Sequence, residues 1–456
     1  MTYEIPRLMI AAASSGSGKT TVTCALLRAL IRRGLRPASF KCGPDYIDPM
    51  FHHKSIGTAF SSNLDLFLGD ADTARYWLCC GARNADLAVI EGVMGFYDGL
   101  AAKTFDASSY DLARQTKTPV VLVVGCKGMS VSIAAQVKGF TALRPDANIQ
   151  AVLLNQISPT LYPDIKRIVE ESCGVPVMGY LPQMPDCALE SRHLGLVTAA
   201  EVSRLSEKLD HLAGRFCETV EIERLLAVAR AAPPLAANGP AGLARPRETR
   251  VAVARDRAFC FYYADTLALL RDLGAELLEF SPLRDKTLPD GAQALLIGGG
   301  YPELYARELS DNIRMRASVG EAVKSGMPAI AECGGFLYLG KTLEDMDGAA
   351  LPMAGAIPAG GYKTDRLRRF GYVELHARVE NLLCAAGETL RAHEFHYWDS
   401  TDPGSGFWAQ KPLRETGWDC VHAGETLYAG FPHLYLAGNP KAAVRFLQAA
   451  AAYRKD

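Results

Sequence analysis

Short apolar runs alternate with longer stretches of helical period through the first half of the chain. LMIAAA, PASFKCG, LAVIEG, PVVLVVG and AVLLNQI are each of strand length and apolar almost throughout, the pattern of strands buried on both faces of a parallel sheet. After the first of them a helix is predicted from about Thr20 to Arg33. Leu26, Leu27, Leu30 and Ile31 share one of its faces, and Arg28, Arg32 and Arg33 gather toward its end, where the helix dipole favours cations. Strand and helix in alternation predict an α/β fold built on a doubly wound parallel sheet.

From Val228 to Thr249 the pattern lapses. VARAAPPLAANGPAGLARPRET is rich in Ala, Pro and Gly and has no apolar period, which marks a linker. Alternation then resumes with RVAVARD, a helix near Tyr263 to Leu273, AELLEFSP, ALLIGGG, and PAIAECGG followed by another helix. The expected organisation is a first domain over 1–227, a linker over 228–249 and a second α/β domain over 250–456. Length agrees, since 456 residues exceed what one hydrophobic core supports.

Composition narrows the function classes. Lys and Arg number 49 against 50 Asp and Glu, so the chain lacks the basic field that captures nucleic acid or anionic membrane. No apolar stretch reaches membrane-spanning length, and LMIAAA has no basic flank of the signal-peptide kind. Neither nucleic acid nor a membrane is expected as a partner, and a cytoplasmic location is expected. The 12 cysteines include no CxxC pair and no zinc-like Cys/His spacing, so most are expected to be reduced, buried and inert.

Two stretches carry chemistry. SSGSGKTT sets Gly16, Gly18, Lys19, Thr20 and Thr21 between a strand and a helix, where backbone N–H groups and the helix dipole cradle phosphate. The loop is a variant of GxxxxGK[ST], with Ala13 where the first glycine usually stands. Lys19 is expected to reach the β- and γ-phosphates of ATP, and the Thr20 hydroxyl to coordinate Mg²⁺. LAVIEGVMGFYDG ends a buried strand in Glu91, beside the place such an ion would occupy, with Asp98 one loop later. KCGPDYID brings Lys41, Asp45, Tyr46 and Asp48 to another such loop. Asp45 and Asp48 are spaced to share a metal or a hydrogen-bond network, and the octapeptide alone reads equally as a structural turn at Gly43-Pro44.

The second stretch is PAIAECGGFLYLG, an apolar strand running into Cys333 and then a helix, which is how α/β folds present a nucleophile on a tight elbow. The Gly334 N–H is placed to stabilise an oxyanion, and the turn from Gly298 to Gly300 offers Gly299 and Gly300 to complete the hole. His433, in LYAGFPHLYL, is the candidate base. His393 and His396, in RAHEFHYW, are its rivals.

SSGSGKTT, FKCGPDYID, IEGVMGFYDG, LESRHLGLV from Leu189, FSPLRD, GGGYPELY, AECGGFLYLG and HEFHY, in this order over nearly the whole chain, resemble the cobyrinate a,c-diamide synthases, which are corrinoid-pathway glutamine amidotransferases. The resemblance implies a dethiobiotin-synthetase-like domain followed by a class I glutaminase domain without a full triad. It puts Lys19 and Thr20 on the phosphate loop, Lys41, Asp45, Tyr46 and Asp48 on the activation loop, and Thr20, Asp48 and Glu91 about Mg²⁺, with Asp98 alongside. Asn155 of VLLNQIS falls near the adenine, although Asn at a strand end is also a turn former. Cys333 falls on the nucleophile and His433 on its base.

The implied enzyme is a carbon–nitrogen ligase. It uses ATP to activate the a and c acetate carboxylates of cobyrinate as acyl phosphates and amidates them with ammonia from glutamine. Its implied partners are a tetrapyrrole polycarboxylate, glutamine and ATP; a homodimer is one option, and the sequence does not fix the oligomeric state. Hydrogenobyrinate, nickel sirohydrochlorin and the cobyric acid synthase reaction are the neighbouring readings, while IEGVMGFYDG and SPLRD favour cobyrinate. A rival of another class is a partitioning-type P-loop switch with an inactive glutaminase domain, and the intact Cys333 elbow weighs against it. Glutaminases of this class often end in His-x-Glu, but Tyr435 stands two residues after His433, so no third triad member is assigned.

Overall fold

β1 (Arg7–Ala12), β2 (Pro37–Cys42), β3 (Phe60–Leu64), β4 (Leu87–Glu91), β5 (Val120–Gly125), β6 (Ile149–Asn155) and β7 (Val177–Leu181) hydrogen-bond into one parallel sheet in the order β3-β2-β4-β1-β5-β6-β7. Every residue of β1, β2 and β4 is buried, which is why their sequences are runs of apolar residues without alternation. The helices that cover the sheet are α1 (Lys19–Arg32), α2 (Ala71–Ala82), α3 (Ser109–Gln115), α4 (Ser132–Leu143), α5 (Tyr162–Cys173), α6 (Ala199–Thr219) and α7 (Ile222–Arg230). The Leu26, Leu27 and Leu30 face of α1 enters a core shared with Leu8 and Ile10 of β1 and Leu212 and Phe216 of α6. Arg28 leaves that face to make a bidentate pair with Asp210 at 2.8 and 3.0 Å.

This computed structural model describes residues 1–187, 199–240 and 242–454, and the LESRHLGLV segment lies outside them. Two compact units result, Met1–Gly239 and Pro240–Asp456. The stretch expected to be a linker from Val228 is ordered at its start. Leu225, Leu226 and Ala229 complete the buried stripe of α7, so that helix runs on to Arg230. Leu235–Ala236 then pairs with Thr2–Tyr3, and the buried Arg7 guanidinium donates to the carbonyls of Thr116 and Pro233. An Ala-rich helix end has a weak apolar signature, and composition alone reads it as coil.

The second unit opens with β8 (Thr249–Ala254), α8 (Ala264–Asp272), β9 (Ala275–Phe280), β10 (Ala294–Ile297), α9 (Ile313–Lys324), β11 (Ala329–Glu332) and α10 (Gly334–Leu339). The expected alternation ends there. β12 (Arg369–Ala377), β13 (Thr389–His396), β14 (Phe407–Gln410) and β15 (Gly417–Cys420) belong to an antiparallel sheet absent from the sequence expectation. β16 (His422–Ala423) and β17 (Leu427–Gly430) return to the main sheet, whose order is β9-β8-β10-β11-β17-β16. β18 (His433–Leu434) then crosses to the antiparallel sheet and pairs with β13, and α11 (Pro440–Ala452) follows. His433 therefore sits where the chain passes from one sheet to the other, beside the C-terminal end of β11. Among the described residues, no helix is long and apolar enough to cross a membrane.

Candidate functional site: a phosphate loop and a cysteine elbow

In the first unit, α1 starts directly after Gly18, which adopts φ 95°, and no side chain caps it. By contrast, Asp70 caps α2 by accepting the Thr73 N–H at 2.7 Å. The amides of the first turn of α1, including those of Lys19, Thr20 and Thr21, thus carry the partial positive charge of a helix start with no side-chain acceptor on them among the described residues, and an anion suits that position. Gly16, at φ 79°, shapes the loop before it. Gly18 is required on two counts, its left-handed backbone and its neighbour, since a Cβ there would lie 2.0 Å from Asn155 Nδ2. Asn155 donates to the Ser17 carbonyl at 2.9 Å, so the residue expected beside the adenine braces the phosphate loop itself.

Glu91, fully buried at the end of β4, is the hub of the site. Its Oε1 accepts from the Thr20 hydroxyl at 2.6 Å and from Lys41 Nζ at 2.7 Å. Lys41 Nζ also meets Asp48 Oδ2 at 2.7 Å. Burial opposes the Lys41 charge, but Glu91, Asp48 and Asp45 outweigh it and hold the ammonium above its ordinary range. Burial and the repulsion of Lys41 push Lys19 the other way, and Lys19 Nζ rests on the carbonyls of Ser14 and Met94.

Asp45 and Asp48 lie in one hydrogen-bond network. Asp45 Oδ1 accepts the N–H groups of Ile47 and Asp48, and Asn63 Nδ2 ties the Gly43 and Asp45 carbonyls at 2.7 Å each. Burial and the charge of Asp48 raise the Asp45 carboxyl to about 6. Tyr46, buried, leads into the helical turn Ile47–Phe51. Asp98 does not join the cluster but accepts the Gly95 N–H at 2.8 Å and closes its own loop. Among the described residues, no three His, Cys, Asp or Glu side chains gather as a metal cluster.

In the second unit, Cys333 joins β11 to α10 at φ 49° and ψ −102°, a strained conformation for a residue with a Cβ. Its N–H donates to the Gly430 carbonyl at 2.8 Å, which locks the elbow to β17. The glycine turn packs against both partners. A Cβ on Gly299 would lie 2.5 Å from His433 Cε1, and one on Gly334 would lie 3.2 Å from the Gly300 nitrogen. Cys333, His433, Gly299, Gly300 and Gly334 are thereby brought together.

His433 is buried. Burial opposes its charge, yet its hydrogen bond with Cys333 and the nearby Glu332 carboxylate raise it to about 10. The rival histidines go the other way. Burial, helped by the charge of His433, lowers His393 to about 3, and burial lowers His396 to about 4. His396 is stacked on Phe431 with ring centres 3.7 Å apart. Sequence reasoning missed Glu332, whose Oε2 lies 3.7 Å from His433 Nδ1 and whose Oε1 accepts the Leu434 N–H at 3.0 Å. The only signal for it is a carboxylate set inside the apolar run AIAEC.

Residues 8–197 match a family model described as the CobQ/CobB/MinD/ParA nucleotide binding domain, and residues 250–439 one described as the CobB/CobQ-like glutamine amidotransferase domain. The chain is 37% identical to the cobyrinate a,c-diamide synthase of Caldanaerobacter subterraneus subsp. tengcongensis, over 96% of this chain and 97% of that one. Identity to the Salmonella typhimurium cobyrinate a,c-diamide synthase is 40%, over 97% of each. The chain belongs to the cobyrinate a,c-diamide synthase family. In this cobyrinate a,c-diamide synthase fold, the phosphate loop lies in the nucleotide-binding match and the Cys333 elbow in the amidotransferase match.

Proposed function

We propose that the protein is an ATP-dependent ligase that amidates the a and c acetate carboxylates of cobyrinate with ammonia drawn from glutamine. One observation carries the reading: a single chain of this family holds both an uncapped phosphate loop joined to a buried carboxylate and a cysteine elbow with a charged histidine. The first-turn amides of α1 and Lys19 take the ATP phosphates. Thr20, Glu91 and Asp48 are the residues that would hold Mg²⁺. Their hard oxygen donors suit that ion, and Glu91 Oε2 is buried without a hydrogen bond among the described residues, with His52 Nε2 3.5 Å away. The ion, when bound, neutralises charge on the β- and γ-phosphates.

A substrate carboxylate oxygen attacks the γ-phosphorus, the bond to the β-phosphate oxygen breaks, and ADP leaves behind an acyl phosphate. Lys19, with its charge near the phosphates, stabilises that transfer. In the other unit, the Cys333 sulfur attacks the amide carbon of glutamine, and N–H groups of Gly334 and the Gly299–Gly300 turn face the oxyanion. Protonated His433 donates to the departing ammonia, leaving a glutamyl thioester, and then takes a proton from the water that releases glutamate. Ammonia attacks the acyl phosphate carbon and expels phosphate. This chemistry belongs to the cytoplasm, where ATP and glutamine are both supplied.

The test offers ATP, Mg²⁺ and either glutamine or ammonia with cobyrinate, hydrogenobyrinate or nickel sirohydrochlorin in turn. Wild type is expected to form the diamide of cobyrinate from both nitrogen sources, and Cys333→Ala from ammonia alone. ATP hydrolysis without amide from either source would return the chain to the partitioning-type switch.

A further inference from the structure

Resting on the glutaminase reading above and deepening it, we propose that Glu332, the residue immediately before the nucleophile, is the positioning carboxylate of His433. The fold delivers it there. Glu332 ends β11 in parallel register with Gly430 of β17, and only Phe431 and Pro432 separate Gly430 from His433. The carboxylate is nearly buried; its Oε1 accepts the Leu434 N–H at 3.0 Å, and its Oε2 stands 3.7 Å from His433 Nδ1, ion-pair distance from the protonated ring. A carboxylate beside one imidazole nitrogen fixes the ring and leaves the other nitrogen for the nucleophile. The same charge favours the imidazolium needed to expel ammonia.

The downstream position where such a carboxylate would be sought is taken. The buried Tyr435 hydroxyl donates to Asp265 at 2.9 Å. The titratable groups facing His433 from elsewhere are Cys333 at the elbow and His393, Glu394 and His396 on β13. The two histidines are neutral above about 4. Burial raises Glu394 to about 7, so above neutral pH it contributes the same charge whether or not Glu332 is present.

The test measures glutaminase kcat and KM across the alkaline range for wild type, E332Q and E332D in the full chain with ATP, Mg²⁺ and cobyrinate. Gln retains an oxygen for the Leu434 N–H, so E332Q removes charge and keeps the bond to the backbone. Glu332 raises the His433 pKa. Its loss therefore lets the imidazolium deprotonate at lower pH, and the alkaline limb that His433 sets near 10 moves down by about one unit. Alongside this, kcat at neutral pH is expected to fall roughly 10- to 100-fold with KM unchanged, and E332D to keep its limb between the other two. An unmoved limb in E332Q, whether or not kcat falls, would mean that Glu332 serves only the fold, and would overturn the assignment. An inactive wild type would overturn the glutaminase reading and this assignment together, whereas an active wild type with an unmoved limb in E332Q sinks this assignment alone.

Discussion

Lys41 shows how much of the first site depends on one charge. Its ammonium lies between two buried carboxylates, Glu91 and Asp48, each at 2.7 Å. Lys41→Met leaves both acids in the interior without that cation, and breaking a buried pair in this way costs about 3–5 kcal/mol. Urea denaturation at neutral pH is expected to show that loss. Asp45 gives a pH signature at the same place. Its carboxyl sits at about 6 in the folded protein against 3.8 for a free Asp side chain, so the native state binds this proton more tightly than the unfolded chain does. As pH falls from about 7 toward about 4, this group adds to stability. Asp45→Asn is expected to flatten that part of the curve of denaturation midpoint against pH, and an unchanged slope would contradict it.

Lys19, Thr20 and Glu91 were legible because each ends or follows an apolar strand, and strand ends are where a parallel sheet places its ligands. Glu332 was not, because its partner lies about a hundred residues away and is met only through the β11–β17 pairing. The same distance in sequence hid the bracing role of Asn155, which depends on the approach of Ser17 to the end of β6.

Among elements, the strands that could be read are those buried on both faces. β12 carries RFGYVELHA, with half-buried and exposed positions interleaved with buried ones and Gly371 at φ 99°. A search for unbroken apolar runs passes over it, and with it the antiparallel sheet on which His433 is mounted. Helix ends were more informative. α1 lacks a side-chain cap where phosphate is expected, while α2 has Asp70 in place. Asp70→Ala removes the acceptor for the Thr73 N–H and is expected to lower stability by about 1 kcal/mol. It touches neither site, so diamide formation should be unaffected. A thermal melt and an amidation assay on the same variant check both halves.

At the scale of the whole chain, three apolar clusters among the described residues each lie on one side of Gly239. One runs from Leu8 to Ala229 and another from Leu122 to Val177, while a third is confined to Ala252 through Phe431. The segment between the units is short of core residues, with Asn238, Gly239, Pro240, Gly242 and Ala244 all exposed. Each unit holds at least one core cluster of its own, and two transitions are expected in calorimetry. Nucleotide separates them. A ligand at a hundredfold excess over its Kd stabilises the unit that binds it by about 2.7 kcal/mol, and for a unit of this size each kcal/mol moves the midpoint by about 2–4 °C. ATP with Mg²⁺ should therefore raise one transition by roughly 5–10 °C and leave the other in place. Lys41→Met should lower the transition that responds to nucleotide, because that residue sits in the unit carrying the phosphate loop. A single transition shifted as a whole by ATP would show that the two cores unfold as one cooperative body despite their separate clusters.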